Sequence, residues 1–296
     1  MNLHKLTVFR EVVEHGGFTA AAEALLISQP LVSAHVKDLE GYYGVRLFDR
    51  TNRKVRLTEA GRILDSYARQ ILTTSSEAKN ALDEYKGLRQ GELVLGASTT
   101  PGAYLLPVIL GDFHREFPGI KLDMLVHGSR QVGDWVAEGR VELGVIGQEP
   151  DLPGLESEPL ADDELVVIAA PSHPLAHAER VTVEDLTAAD FISREPGSGT
   201  RATADAAVRA LGSELIPFME LGSISAIKRA VAAGLGVSML SSCAVEEELR
   251  FGTLVAVAVS GLKARRTFHL IRRKGRWISP AALRLVEMLR ERGAST

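Results

Sequence analysis

Residues 58–88 carry an apolar repeat of seven. Leu64, Ile71, Ala78 and Tyr85 recur at that interval, and Tyr67, Thr74, Ala81 and Leu88 stand three positions behind them. A seven-residue repeat held over about four heptads describes a helix that offers one narrow seam to a partner helix. At ~1.5 Å per residue such a helix spans about 45 Å, more than the diameter of a small domain. It therefore divides the chain: the segments on its two sides must each build a core. A dimerisation stalk is the expectation, with Leu64, Tyr67, Ile71, Ala78 and Tyr85 on its seam. A helix lying along its own domain is the competing reading.

The division changes how charge is read. The 296 residues sum to a net charge of −4, which by itself argues against a nucleic-acid partner. Residues 1–90 hold 13 Lys/Arg against 11 Asp/Glu, so the remainder carries all of the acidic excess. Arg46, Arg50, Arg53, Lys54 and Arg56 face only Asp49 across one short stretch. A mildly basic head on an acidic body is a different object from a uniformly acidic protein. A single cysteine forbids an internal disulfide and suggests a reducing compartment. Nothing approaches the roughly 18 consecutive apolar residues of a spanning helix. Met1–Phe18 alternates apolar and charged residues, unlike a secretory signal, so a cytoplasmic location is expected.

Before the stalk the pattern is helical. Leu6, Phe9 and Val13 share one face of a helix over 2–15 that Gly16-Gly17 stops. Thr19 is a plausible N-cap for a short helix over Ala20–Leu26. Ser28 opens a third helix, with Pro30 in the first turn, where its missing N–H costs nothing. That helix sets Val32, Val36 and Leu39 on one face and Gln29, Ser33 and Lys37 on another. It ends over Gly41–Gly44. Arg46–Phe48 and Val55–Leu57 read as a small hairpin around a polar turn. Two short helices, a turn and a basic hairpin make a winged helix-turn-helix. Small polar side chains such as Gln29, Ser33 and His35 suit base edges in a major groove, while Lys37, Arg50, Arg53 and Lys54 suit phosphates. A protein-docking module would show the same pattern.

Specific motifs narrow this. Phe18-Thr-Ala-Ala-Ala-Glu-Ala-Leu25, Ser28-Gln-Pro-Leu-Val-Ser33, Lys37-Asp-Leu-Glu40, Gly44-Val-Arg-Leu-Phe-Asp-Arg50 and Leu57-Thr-Glu-Ala-Gly61 resemble, without gaps over residues 1–61, the DNA-binding head of LysR-type transcriptional regulators. The resemblance implies a winged helix-turn-helix over 1–58, a linker and dimerisation helix over 59–90, and a two-lobed, periplasmic-binding-protein-like effector domain over 91–296. Lobe I is expected at about 91–162 and 268–296, and lobe II at about 163–267. It also implies a homodimer or homotetramer, with DNA contacts from Thr19, Gln29, Pro30, Ser33, His35, Lys37, Arg50, Arg53 and Lys54. Many family members carry a long or basic side chain where this chain has Ala34, which gives His35 and Lys37 more weight.

From Gly91 strands and helices alternate, which argues an α/β body with mostly parallel sheets. Strands are expected at Leu93–Ala97, Lys121–His127, Leu143–Ile146, Glu164–Ala170 and Thr267–Arg272, and a Pro/Gly-rich loop at Pro150–Pro159. Three segments at carboxyl ends of strands suit a small anion: Ser98-Thr99-Thr100 ahead of a helix, Gly147-Gln148, and Arg194–Arg201, which again opens a helix. Plain helix capping competes as an explanation of the first. In the family the matching segments line the inducer cleft, so Ser98, Thr99, Thr100, Gln148, Thr200, Arg194 and Arg201 are the expected effector contacts. Either arginine has an alternative in pairing with Glu195 or another acid. Gly96–Thr100 and Arg194–Arg201 resemble the subset that regulates carbon-dioxide fixation or sulfur assimilation, which implies an oxyanion or phosphorylated metabolite.

Other constellations carry less. His173 and His177 bracket Pro174 with no further ligand at metal spacing. Gly197–Ala202 is a short match to a dinucleotide fingerprint, without the tandem halves that motif needs. Cys243 reads as an inert small side chain, and Arg272–Arg276 as a solvated turn. No nucleophile triad or acid/base pair stands out, so no catalytic residue, metal or cofactor is expected. The expected function is sequence-specific regulation of transcription by a chain that binds double-stranded DNA and an anionic small molecule, with no membrane partner. An exported solute-binding protein and an enzyme using the cleft are the other classes.

Overall fold

The computed structural model describes residues 2–49, 55–84, 91–149 and 152–293. They form two compact units, Met1–Lys86 and Gly87–Thr296.

The first unit contains α1 (Leu3–Glu14), α2 (Phe18–Leu25), α3 (Gln29–Tyr43), the two-residue strands β1 (Phe48–Asp49) and β2 (Arg56–Leu57), and α4 (Glu59–Glu84). Leu6, Phe9 and Val12 of α1 meet Val32, Val36 and Leu39 of α3 in a core closed by Ala21, Ala22, Leu47 and Phe48. The hairpin is antiparallel, as its spacing suggests, with Phe48 opposite Leu57. Thr19 does not cap α2. Gly17 is the N-cap in extended conformation, and the helix starts at Phe18, whose ring packs 5.5 Å from that of Phe48. Packing that ring against the core draws the helix start forward and leaves Thr19 exposed in the first turn. Likewise α3 continues through Gly41 and stops at Gly44, its left-handed C-cap.

The seam of α4 differs from the heptad reading. Leu64 and Ala68 are buried in the head's own core, and Ile71 and Leu72 pack against it. Asp65 on the same side accepts from Nη1 of Arg10 at 2.5 Å and from Nη2 of Arg69 at 2.9 Å. Spacings of four, seven and eight from Leu64 match the 3.6-residue period of a helix seated on a globular core, so these turns belong to the head. The outward stripe is instead Ile63, Tyr67, Thr74, Ala78 and Leu82, all exposed. Tyr85 lies outside the described residues.

Glu40 ties the hairpin to α3, its Oε1 accepting from the backbone N–H of Leu47 at 2.8 Å. Thr58 ties it to α4: its N–H donates to the Leu47 carbonyl, and its Oγ1 accepts from the N–H of Gly61. A side chain at Gly61 has no room, because a Cβ would stand 2.1 Å from the Leu47 carbonyl oxygen and 2.8 Å from Cδ2 of Leu57.

The second unit runs β3 (Gly91–Ser98), a π-helical turn (Pro101–Leu105), α5 (Leu106–Glu116), β4 (Ile120–His127), α6 (Ser129–Glu138), β5 (Leu143–Ile146), β6 (Leu155–Ala169), α7 (Val183–Ala188), β7 (Phe191–Arg194), α8 (Gly199–Arg209), β8 (Pro217–Leu221), α9 (Ile224–Ala232), β9 (Ser238–Ser241), α10 (Ser242–Arg250), β10 (Val255–Val257), β11 (Arg265–Arg273) and α11 (Pro280–Gly293). Thr182 and Asp185 form the expected capping box before α7. The main sheet has the order β10-β6-β11-β5-β3-β4, with β9 also on β6. It is not mostly parallel. Only β3 pairs in parallel, with β4 and β5; β11 is antiparallel to both β5 and β6, and β9 and β10 are antiparallel to β6. The segment read as a loop up to Pro159 is in strand from Leu155, because it pairs with the far end of β11.

This pairing produces two lobes. One core gathers Leu93, Leu95, Ile109, Phe113, Leu143 and Leu285. Another gathers Val167, Leu186, Phe191, Val208 and Val237. β6 passes between them: its first part pairs with β11, and Leu165–Ile168 pairs with β9. β6 thus belongs to both lobes, with Leu160 in the first core and Leu165, Val167 and Ala169 in the second.

Gly61→Ala is expected to lower the stability of the head by about 2 kcal/mol or more, since the clash is with backbone. Chemical unfolding monitored by circular dichroism measures it, and an unchanged midpoint contradicts the packing described.

Candidate functional site

Strands β3, β5 and β7 end at one place in the second unit. Ser98, Thr99 and Thr100 come at the end of β3, Gly147 after β5, and Arg194 and Glu195 at the end of β7; with Gly128, Ser129, Ser198, Gly199, Thr200 and Arg266 they line a small cavity that opens to solvent. The first turns of α6 and α8, at Ser129 and Gly199, face it, and the π-helical turn begins next to Thr100. Free N–H groups at such termini favour an anion.

Arg266 sits at the centre. It stands directly opposite Asp163 in the pairing of β11 with β6. Its Nε donates to Oδ2 of Asp163 at 2.7 Å, its Nη1 to Oγ1 of Thr200 at 3.1 Å, and its Nη2 to Oγ1 of Thr100 at 3.3 Å. Asp163 is completed by Ser241, whose Oγ donates to Oδ1 at 2.5 Å. The side chains of the pair are 7% and 2% exposed, which puts the interaction in a low-dielectric setting. The guanidinium also lies 5.1 Å from the centroid of the Phe268 ring. Because the two threonine hydroxyls accept from Arg266, their own protons remain to be donated into the cavity. Sequence reasoning missed Arg266. Its one local signal is alternation: Arg266, Phe268 and Leu270 share a strand face, and the last two are core residues.

The expected contacts divide. Ser98, Thr99, Thr100, Arg194 and Thr200 line the cavity. Arg194 is clamped by Glu195, its Nε and Nη2 donating to Oε2 and Oε1 at 2.7 and 2.8 Å. Gln148 packs on Gly199, its Cγ 3.2 Å from where a Cβ would stand, and is not among the cavity residues. Arg201 is turned elsewhere: its Nη1 donates to Glu220 at 2.6 Å and its guanidinium also faces Asp205. Those carboxylates hold it away from the lining, so Arg201 is corrected from a contact to an ion-pair residue.

In the head, α3 buries Val32, Val36 and Leu39 and leaves Gln29, Pro30 and Lys37 exposed, with Ser33 and His35 half-buried beside them. Nε2 of Gln29 donates to Oγ of Ser33 at 2.9 Å. The His35 ring meets that of His4 edge-on at 5.0 Å. Lys5 pairs with Asp38 at 2.6 Å and holds its carboxyl below the usual range. Arg50, Arg53 and Lys54 lie outside the described residues.

Other residues have local roles. Nδ1 of His173 accepts from the N–H of Leu175 and so caps a short turn. Burial pushes the Cys243 thiol up, which lowers its thiolate fraction at neutral pH. Among the described residues no group of three or more His, Cys, Asp or Glu could hold a metal, and no helix is long and apolar enough to cross a membrane.

A helix-turn-helix head on a long helix, continued by a two-lobed unit with a polar cleft, defines a ligand-responsive transcriptional regulator. The chain belongs to the LysR family of such regulators: residues 3–62 match the family's bacterial regulatory helix-turn-helix protein and residues 86–294 its LysR substrate binding domain. A protein of Cyanidioschyzon merolae described as "Probable RuBisCO transcriptional regulator" is 36% identical over 293 residues, covering 97% of each chain. A full-length OxyR variant from Pseudomonas aeruginosa is 26% identical with a TM-score of 0.71, covering 98% of this chain and 94% of that one. The regulatory domain of CcmR from Synechocystis PCC6803, solved in complex with 2-PG, is 29% identical with a TM-score of 0.64, covering 69% of this chain and 98% of that one. The family consists of transcriptional regulators, not enzymes.

Asp163→Ala leaves a buried guanidinium without its counter-charge and is expected to destabilise the second unit by about 3–5 kcal/mol. Urea unfolding checks this; a loss below about 1 kcal/mol would mean the pair is not buried as described.

Proposed function

We propose that the chain reads double-stranded DNA through α3 and its wing, and that a small anion in the cleft sets how the DNA is bound. The observation that carries this reading is Arg266, whose guanidinium reaches threonine hydroxyls from both sides of the cleft. An anion bound there touches both lobes at once, so it favours one lobe arrangement over another. Coupling to DNA is then reciprocal in free energy. The CcmR regulatory domain, solved in complex with 2-PG, supports a small-molecule effector, and the relatives described as RuBisCO transcriptional regulators support a role in transcription. The proposed effector contacts are Ser98, Thr99, Thr100, Thr200, Arg194 and Arg266, with Gln148 behind Gly199.

On the DNA side, Gln29, Ser33 and His35 are proposed to meet base edges, and Thr19, Pro30, Lys37, Arg50, Arg53 and Lys54 to meet or fit the backbone. The division into head (1–58), linker helix (59–90) and effector domain (91–296, with lobe I over about 91–162 and 268–296 and lobe II over about 163–267) is part of the same reading. So is assembly as a homodimer or homotetramer through Tyr67, Ala78 and their exposed neighbours on α4. A DNA partner supports a cytoplasmic location.

Gel-shift titrations test the head. Lys37→Ala is expected to weaken binding to every sequence and to reduce the salt slope by about one, whereas Gln29→Ala relaxes base preference at about 1–3 kcal/mol per base pair. Unchanged affinity and preference in both variants would remove α3 from the interface. Thermal shift with inorganic phosphate, sulfate and 2-PG tests the cleft. The Thr100→Ala, Thr200→Ala double variant is expected to lose at least about 90% of the response; a full response would place the site elsewhere.

A further inference from the structure

Two arginines face the cleft, and both arrive neutralised. Arg266 is held by Asp163 and Arg194 by Glu195. The four formal charges cancel, so an anion is met by oriented N–H and O–H groups more than by net positive charge. The two carboxylates are not equivalent. Asp163 is buried, with one oxygen occupied by Ser241 and the other by Arg266. Glu195 is among the residues lining the cavity, and its side chain is 40% exposed. Its side-chain hydrogen bonds within the described residues come from Arg194 alone. A carboxylate offers about four lone-pair sites, so acceptor capacity remains.

Local backbone keeps Glu195 there. The N–H of Ser198 donates to the Glu195 carbonyl, with Pro196 and Gly197 between them and Gly197 at φ +85. Pro before a glycine in the left-handed region is the sequence of a type II turn. One rigid turn therefore sets both Glu195 and the start of α8, where Thr200 stands. A ligand in the cavity finds donors at Thr100, Thr200 and Arg266, and an acceptor at Glu195. An oxyanion without a proton turns a lone pair toward that carboxylate. An oxyanion with a hydroxyl donates to it.

We propose that Glu195 makes the cleft select oxyanions that carry their own hydrogen-bond donor, such as hydrogen phosphate or an anion with an adjacent hydroxyl, over those that carry none, such as sulfate. This rests on the effector reading of the cleft. A site built to accept a proton loses affinity for an analogue that lacks it, because its polar group is then unpaired or repelled.

Isothermal titration of the full chain with inorganic phosphate and with sulfate, at matched ionic strength and neutral pH, is the test. The expected result is at least about tenfold tighter binding of phosphate, with Glu195→Gln bringing the ratio close to one, chiefly by strengthening sulfate binding. Equal affinities in the unmodified chain, or an unchanged ratio in Glu195→Gln, overturn this inference and leave the effector site standing. Binding of neither anion overturns both.

Discussion

The ion pair between Asp163 and Arg266 is the contact on which the second unit turns. It joins β11 to β6, the strand that runs through both lobes, at a point where the two are paired neighbours. A buried pair of this kind is weak evidence for stability but costs a great deal to break. Its value lies in position. With Asp163 fixing Nε, the two remaining nitrogens of the guanidinium are aimed at Thr100 and Thr200. Thr100 stands after a strand whose core is that of one lobe, and Thr200 opens a helix of the other. The geometry of a ligand site between lobes is therefore set by a residue on the connection between them.

Parts of this were legible in the sequence. The head's motifs are local: the apolar spacing of Leu6, Phe9, Val32, Val36 and Leu39 dictates how three helices meet, and the packed core uses those residues. Ser98–Thr100 and Arg194–Thr200 were legible for the same reason, since hydroxyls and glycines at a strand-to-helix junction announce a helix N-terminus within a few residues. Arg266 was not, because its partner Asp163 lies 103 positions away and nothing near either residue records the pairing. The first part of β6 was hidden by Pro153 and Gly154 just before it and Pro159 within it, which read as a loop, yet the segment is held by β11 from the far end of the chain. Leu64 was assigned to the stalk because a seven-residue repeat and a 3.6-residue period coincide over two turns, and only the head's core separates them.

Charge tells a similar story. The net value of the chain concealed a basic head, and within the cleft two arginines conceal two carboxylates. In both places the useful quantity is the arrangement of charge on one surface. In the motif Arg194–Arg201 either arginine can serve as a ligand contact or pair with an acid. The structure turns Arg201 to Glu220 and Asp205 and pairs Arg194 with Glu195, so both arginines of the motif take the acid partner.

The crossing between the lobes is a ribbon of two antiparallel strands, with an irregularity in register between Phe268 and His269. A hydrogen-bonded ribbon resists stretching and in-plane bending, and a bulge concentrates twist. Torsion about the ribbon axis is therefore the deformation that such a connection resists least. An effector bound as proposed, between Thr100 and Thr200, would act as a couple about this axis, and any rotation it produced would be carried by the two strands together.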